Sequence, residues 1–508
     1  MKREIIDMHR RRLIANAGML AAATALAPVW LRAADAPAQV ELTLASAAQG
    51  REISPHLIGL SYETRHLLDA GLFSARNADL IAYFRALSPR GILRIGGNTS
   101  DFAVWSEYRG ELPAEESAGG GKPKRRFTIT PAQIEDLADF VRATGWRLIF
   151  GANLKIDRPN MAAQLVSEVH RRVGDALLAV QIGNEPAFFK HADGKRYTFA
   201  EYLAQWRRHA QAIRKAVPGV AFAGPDVALD TGWVLQMAET GDVAALTEHY
   251  YRGGAEDATT SIADLLSGDA KFLGEVARIA AVADRRKLPF YLSEANSYYN
   301  GGKLGVSNTL ASALWGGDFT LACAQAGASG VQFHGGPLGA LEISLDRVRN
   351  PTPGEGDYKQ RLDGISGRYT AIAGDAGAGF YARPLYYGML LAQQFAGARF
   401  VETTLVAKGA NLSAYAAGQG TRRVIAVFNK DFARDVQLRI ALGVAAKSAQ
   451  VWRLSAPAID NVHDVTLAGA EVDAHGAWAS KQVERLTVAG AIVNLRVPRG
   501  SAALVFAE

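Results

Sequence analysis

The stretch LLAVQIGNEPAFF, residues 177–189, carries an apolar run that stops abruptly at Asn184, Glu185 and Pro186. A continuous apolar run of this length, without polar alternation, is the pattern of a strand buried on both faces, as in a parallel sheet covered by helices. Its carboxylate then stands at the C-terminal tip of the strand, the end at which parallel barrels build their active sites. The role of Glu185 therefore depends on whether the rest of the chain makes such a barrel.

Seven further strand-like runs share the pattern: HLIGLSYE (56–63), GILRIGG (91–97), WRLIFGANL (146–154), VAFAGPDV (220–227), ALTEHYY (245–251), PFYLSEAN (289–296) and GVQFHGG (330–336). Helical patterns separate most of them, and two begin with capping boxes, Thr130 with Gln133 and Thr198 with Glu201. Eight β/α units predict an α/β fold closed as a (β/α)8 TIM barrel, and no Gly-rich phosphate loop speaks for an open doubly wound sheet. From about residue 385 the pattern becomes short alternating runs broken by Gly, Asn and Asp, which predicts a β-sandwich. The division expected is an export signal with a short linker over 1–38, a strand adding an edge to the sandwich over 39–53, the catalytic barrel over 54–384 and the sandwich over 385–508.

Composition sets wider bounds. The chain has 508 residues, 49% of them hydrophobic and 21% charged, which is globular rather than disordered. Of the net charge of +6, most comes from Lys2, Arg3, Arg10, Arg11, Arg12 and Arg32, opposed in that segment only by Glu4 and Asp7. Bulk charge thus gives no reason to expect nucleic acid as a partner. The same segment runs on into LIANAGMLAAATALAPVWL and then small residues, the layout of an export signal, and RRRLI (10–14) resembles a twin-arginine signal. A periplasmic or secreted protein follows, with no stable membrane association once the signal is removed. Cys323 is the sole cysteine, which excludes an intramolecular disulfide and a cysteine zinc cluster.

The strand tips supply the chemistry. Glu63 ends the first, Arg94 with Asn98 the second, Asn184 and Glu185 the fourth, His249 with Tyr250 and Tyr251 the sixth, Glu294 the seventh, and His334 the eighth. Two glutamates at one mouth are the paired-carboxylate layout of glycoside hydrolysis, in which an acid protonates the leaving oxygen and a second carboxylate attacks carbon or activates water. Asn184 is suited to a sugar 2-hydroxyl and Tyr250 to orienting Glu294. His249 and His334 read as hydrogen-bonded wall residues, since none of the histidines shows metal-ligand spacing, and no metal or cofactor is called for. Two loops stand out: 107–127, with the basic Lys122, Lys124, Arg125 and Arg126, and the Gly-rich excursion 337–384.

At LRIGGNTSDF (93–102), QIGNEPAFF (181–189), EHYY (248–251) and LSEANSYYNGG (292–302) the chain resembles glycoside hydrolase family 79, the heparanase and β-glucuronidase family, over approximately residues 40–508. The resemblance implies Glu185 as acid/base, Glu294 as nucleophile, Asn184 preceding the acid and Tyr250 contacting the nucleophile. It implies that the uronate carboxylate is bound by the Tyr299 hydroxyl and the backbone amides at Gly301 and Gly302, with Tyr369 as a second tyrosine and Glu63 on sugar hydroxyls. Asn98 and His334 complete the candidate substrate-binding set. Asn300 departs from the third glycine of heparanase-like members, and no evident proteolytic linker divides the chain, which favours a bacterial exo-acting β-glucuronidase.

The substrate implied is a glycoside or oligosaccharide containing β-linked glucuronic acid, cleaved with retention. Three alternatives stay open: an endo-acting hydrolase of heparan-type polymers using the basic loop, a barrel hydrolase of neutral glucosides or arabinosides, and a carbohydrate-binding protein without catalysis. Oligomeric state has no signature in the sequence.

Overall fold

The computed structural model describes residues 37–114, 126–345 and 357–508. The export-signal reading therefore lies outside the described residues, as do Lys122, Lys124 and Arg125 of the basic loop; Arg126 is described and donates to the carbonyls of Pro113 and Ala114.

Eight parallel strands close into a barrel: β1 (Ile58–Glu63), β2 (Ile92–Gly96), β3 (Arg147–Ala152), β4 (Leu177–Ile182), β5 (Phe222–Ala228), β6 (Ala245–Gly254), β7 (Phe290–Tyr299) and β8 (Gly330–Gly335), each paired with its sequence neighbours and β8 with β1. They are the eight runs read from the sequence, and their near-complete burial explains why they are predominantly apolar rather than alternating with polar residues. Inside the barrel Ile92, Ile149, Ala179, Ala223, Ala245 and Tyr291, one from each of six consecutive strands, form a layer near the strand starts. Two residues further on, the inward positions turn polar, with Arg94, Gln181 and Thr247 all buried. That alternation carries the strands from a packed floor to a reactive mouth.

Helices cover the barrel outside, and both capping boxes form; Thr198 Oγ1 accepts from the Glu201 amide while Glu201 accepts from the Thr198 amide. The helix Pro384–Gln393 crosses Leu310–Ala326 so closely that a Cβ on Gly388 would be driven into the Ala313 carbonyl oxygen. The barrel layer therefore extends past residue 385, and the sandwich begins at Arg399 rather than at 385. PLYYGMLLAQ is almost wholly buried, so its helical period does not show as a polar stripe and the run resembles a strand.

The C-terminal unit is two packed sheets, of seven and five strands, around a core that includes Val40, Leu42, Ile425, Leu438 and Val505. The strand Ala38–Leu44 does not lie at an edge. It sits inside the five-stranded sheet, parallel to Val436–Ala441 on one side and antiparallel to Thr403–Val406 on the other. Among the described residues no helix is long and apolar enough to cross a membrane.

Candidate active site

β4 ends at Ile182, and the chain turns through Gly183 and Asn184 to Glu185, whose φ of 47° puts it in the left-handed region. Its amide donates to the Asp226 carbonyl at 2.8 Å, which ties the turn to the neighbouring strand β5. A non-glycine residue held in this conformation is a mark of a site whose surroundings over-determine it.

Glu294 reaches the mouth through an irregularity. The pairing of β7 with β6 slips between Leu292 and Glu294, so that Ser293 and Glu294 both face inward instead of alternating. A similar slip in β5, between Pro225 and Val227, turns Asp226 inward at φ 63°. Bulges of this kind re-aim side chains next to active sites.

The two catalytic candidates face each other. An oxygen of Glu185, a nitrogen of His249 and an oxygen of Glu294 all lie within 4.8 Å of one another. Glu294 accepts from the Tyr251 hydroxyl on one oxygen at 2.8 Å and from the Arg94 guanidinium on the other at 2.6 Å. Burial pushes the Glu294 carboxyl up, but the charges of His334, His249 and Arg94 and the Tyr251 hydroxyl outweigh it and hold the group well below the usual carboxylate range. It is therefore ionised. Glu185 is bonded through Oε1 to His249 Nδ1 at 3.0 Å, and its side chain keeps 17% exposure against 9% for Glu294. The acid candidate is thus the more open of the two.

Beneath both lies Asp226, 1% exposed. Its Oδ2 accepts from Arg94 at 2.6 Å, and its Oδ1 accepts from His249 Nε2 at 2.8 Å, from Ser293 at 2.7 Å and from the Gln181 amide. Burial alone would lower His249, but Asp226 and Glu294 outweigh it and raise the imidazole to about 10, so both ring nitrogens carry protons and donate. The grouping of Glu185, His249 and Glu294 has the spacing of a metal site, although no ligand spacing is visible along the sequence. Arg94, wholly buried between Glu294 and Asp226, already supplies positive charge there, and both histidine nitrogens are engaged.

The other candidates fall as follows. Asn184 is committed within the protein: its Oδ1 accepts from Arg94 at 2.8 Å and its amide donates to Asn98 at 2.9 Å, and Asn98 in turn donates to Ser344. Glu63, buried at the end of β1, accepts from the amide and hydroxyl of Thr99 and faces His334 Nε2 at 3.6 Å; burial pushes it up, but His334 brings it net below its ordinary value. His334 is a hydrogen-bonded wall residue, with Nδ1 at 3.0 Å from the Ser61 hydroxyl. Tyr369 is buried with its ring 6.3 Å from that of Tyr251, and its amide donates to the Gly301 carbonyl. Gly301 and Gly302 have φ of 80° and 83°, and a Cβ on Gly302 would lie 2.8 Å from Ser307. Tyr299, at the end of β7, is 45% exposed at the rim with its ring edge toward Tyr251.

Tyr250 is the exception. Its ring packs outside the barrel between Phe272 and Phe319, and its hydroxyl donates to Asp269 at 3.0 Å. The tyrosine on the nucleophile is Tyr251. Side chains two apart share a face of a strand, so with His249 inward Tyr251 must be inward and Tyr250 outward. That signal was available in EHYY. For Asp226 there was none, since only the slip in β5 turns it toward the site.

No family model matches the chain. Two curated proteins named beta-glucuronidase, from Aspergillus niger and Neurospora crassa, are each 28% identical, over 306 and 286 residues, covering 53% and 48% of this chain. The chain spans about half the length of these relatives, 55% and 50%. Among solved structures, a 4-O-α-L-rhamnosyl-β-D-glucuronidase from Fusarium oxysporum superposes with a TM-score of 0.68 at 19% identity, over 91% of this chain and 99% of that one. A family 51 arabinofuranosidase from Xanthomonas axonopodis pv. citri gives 0.59 at 16% identity, over 92% and 100%. The barrel with its appended sandwich is thus a fold shared with solved glycoside hydrolases.

Proposed function

We propose that this protein is a retaining β-glucuronidase that removes β-linked glucuronic acid from glycosides or oligosaccharides. The observation that carries the reading is the carboxylate pair, Glu185 and Glu294, whose nearest ligand oxygens are within 4.8 Å. Oxygens this close are consistent with retaining enzymes, whose carboxyls stand about 5–5.5 Å apart, rather than with inverting enzymes, which hold a water in a gap of about 6.5–9.5 Å. Ionised Glu294, aligned by Tyr251 and Arg94, attacks the anomeric carbon while Glu185 protonates the glycosidic oxygen. His249 occupies Oε1 of Glu185, which leaves Oε2 to deliver the proton and later to take one from the water that releases the sugar.

Support for glucuronate comes from the curated relatives' names and from Tyr299 and Tyr369, whose rings flank that of Tyr251, the tyrosine bonded to the nucleophile, with Gly301 held to the Tyr369 amide. Neutral donors there bind a carboxylate without setting a cation against the oxocarbenium-like centre. Exo action on the non-reducing end, and export before action, are parts of the same proposal. Endo action on a heparan-type polymer through the basic loop is the second reading; Arg126, its described member, is turned back onto its own loop.

The test is hydrolysis of p-nitrophenyl β-D-glucuronide beside the matching β-D-glucoside and α-L-arabinofuranoside, with wild type and Glu294→Gln. Glucuronide preference, lost by at least about a thousand-fold in the variant, and first release of the β-anomer by NMR are the expected results. Preference for either neutral glycoside overturns the glucuronate assignment. Binding without turnover reinstates a carbohydrate-binding protein, and release of the α-anomer from the glucuronide overturns retention.

A further inference from the structure

We propose that Asp226 is the positioning residue that couples the two catalytic carboxylates, holding Arg94 on Glu294 with one oxygen and His249 on Glu185 with the other. The inference rests on the catalytic reading of those two glutamates. Asp226 touches neither of them. It is buried under the mouth, and each of its oxygens reaches one glutamate through a single cationic intermediary.

The residue type is what the geometry demands. Oδ2 meets a guanidinium and Oδ1 meets an imidazolium, so both positions need acceptors, and only a carboxylate offers two. An asparagine of the same shape would turn its NH2 toward one of these donors and leave a buried cation unpartnered. Ser293 and the Gln181 amide clamp Oδ1, and the Asp226 amide donates to Thr247 Oγ1 at 3.1 Å, so the carboxylate cannot rotate away to serve one side only.

The arrangement suits double displacement. When Glu294 bonds to the anomeric carbon its carboxylate charge is consumed, and Glu185 becomes anionic as it gives up its proton. Negative charge thus moves from the Arg94 side to the His249 side, and back again when water releases the sugar. Asp226 keeps both cations in place through the exchange, so neither has to reorganise as the charge moves. The bulges of β5 and β7 are the backbone features that bring Asp226, Ser293 and Glu294 to face each other.

The test uses the full chain with Asp226→Asn, His249→Gln and the double variant, on phenyl and 2,4-dinitrophenyl β-D-glucuronides. The first leaving group needs the acid and the second hardly does. For Asp226→Asn, kcat/KM should fall about tenfold on the dinitrophenyl substrate, from loosening Arg94, and at least a further tenfold on the phenyl substrate, from the acid side. The double variant should fall no further on the phenyl substrate than Asp226→Asn does. A purely structural salt bridge instead gives equal losses on both substrates, and additive losses in the double variant; either overturns the proposal. Should Asp226→Asn fail to fold, Asp226→Glu takes its place, because it keeps the buried negative charge but shifts both oxygens off Arg94 and His249, and it must show the larger loss on the phenyl substrate; equal losses on the two substrates would overturn the proposal.

A readout free of substrate separates this inference from the glucuronidase reading. With 15N-labelled histidine, and His249→Gln to assign the signal, His249 should carry both ring protons at pH 8 in the wild type and lose one in Asp226→Asn. Two protons retained in the variant would refute the coupling. If the wild type cleaves the aryl glucoside or arabinofuranoside in place of the glucuronide, the function falls and the same leaving-group comparison is made on that glycoside.

Discussion

Changing Tyr251 to Phe removes one oxygen and tests the orientation of the whole sixth strand. The hydroxyl donates to ionised Glu294 at 2.8 Å in a largely desolvated pocket. A hydrogen bond to a charged group contributes about 1.5–3 kcal/mol, and at about 1.4 kcal/mol per factor of ten this predicts a loss in kcat/KM of roughly ten- to hundred-fold. Tyr250→Phe is the matched control one residue away. It removes a bond to Asp269 outside the barrel, which should lower stability by about 1 kcal/mol and leave turnover within about twofold, since no catalytic group is touched. The assay is steady-state hydrolysis of an aryl glucuronide, with urea unfolding of the same samples. A large activity loss in Tyr250→Phe with near-normal turnover in Tyr251→Phe would refute the strand phase and with it the assignment of the inward face.

Two further outcomes concern stability. Burial, reinforced by the charge of Glu275, pushes outward-facing Glu248 up to about 8 from an ordinary 4.5. The folded protein keeps that proton where the unfolded chain has lost it, so the stability it brings is complete below about pH 4.5 and is lost as pH rises through about 8; Glu248→Gln should flatten this decline in Tm, and parallel Tm curves for the two proteins would refute it. Gly388→Ala should destabilise the barrel by about 1–3 kcal/mol, because the methyl enters the Ala313 carbonyl at the helix crossing, and an unchanged urea midpoint would show that the two helices are free to separate.

The barrel could be read from the sequence because strands buried on both faces are written as continuous apolar runs, and all eight stand between recognisable turns and helices. That same two-sided burial hides which side chains point inward. Tyr250 and Tyr251 are equally at home in either layer, and only the polar His249 beside them sets the phase. The glutamates were identifiable by residue type at strand ends. Asp226 was not, for a Pro-Asp pair inside an apolar run gives no sign that the register slips there, and its partners Arg94 and His249 are distant in sequence. The late sandwich boundary has a related cause: a helix buried all round loses the polar stripe that would distinguish it from a strand.

The place of Ala38–Leu44 within the five-stranded sheet bears on how the molecule is made. Its two neighbours, Thr403–Val406 and Val436–Ala441, are translated only after the entire barrel. During synthesis this early segment must wait, with the hydrogen-bonding groups of both its edges unmatched, until the last quarter of the chain emerges. The sandwich is in effect one folding unit interrupted by another, and it closes last. Cutting the chain between the two architectures would remove an inner member from that sheet and leave a gap flanked by two open edges.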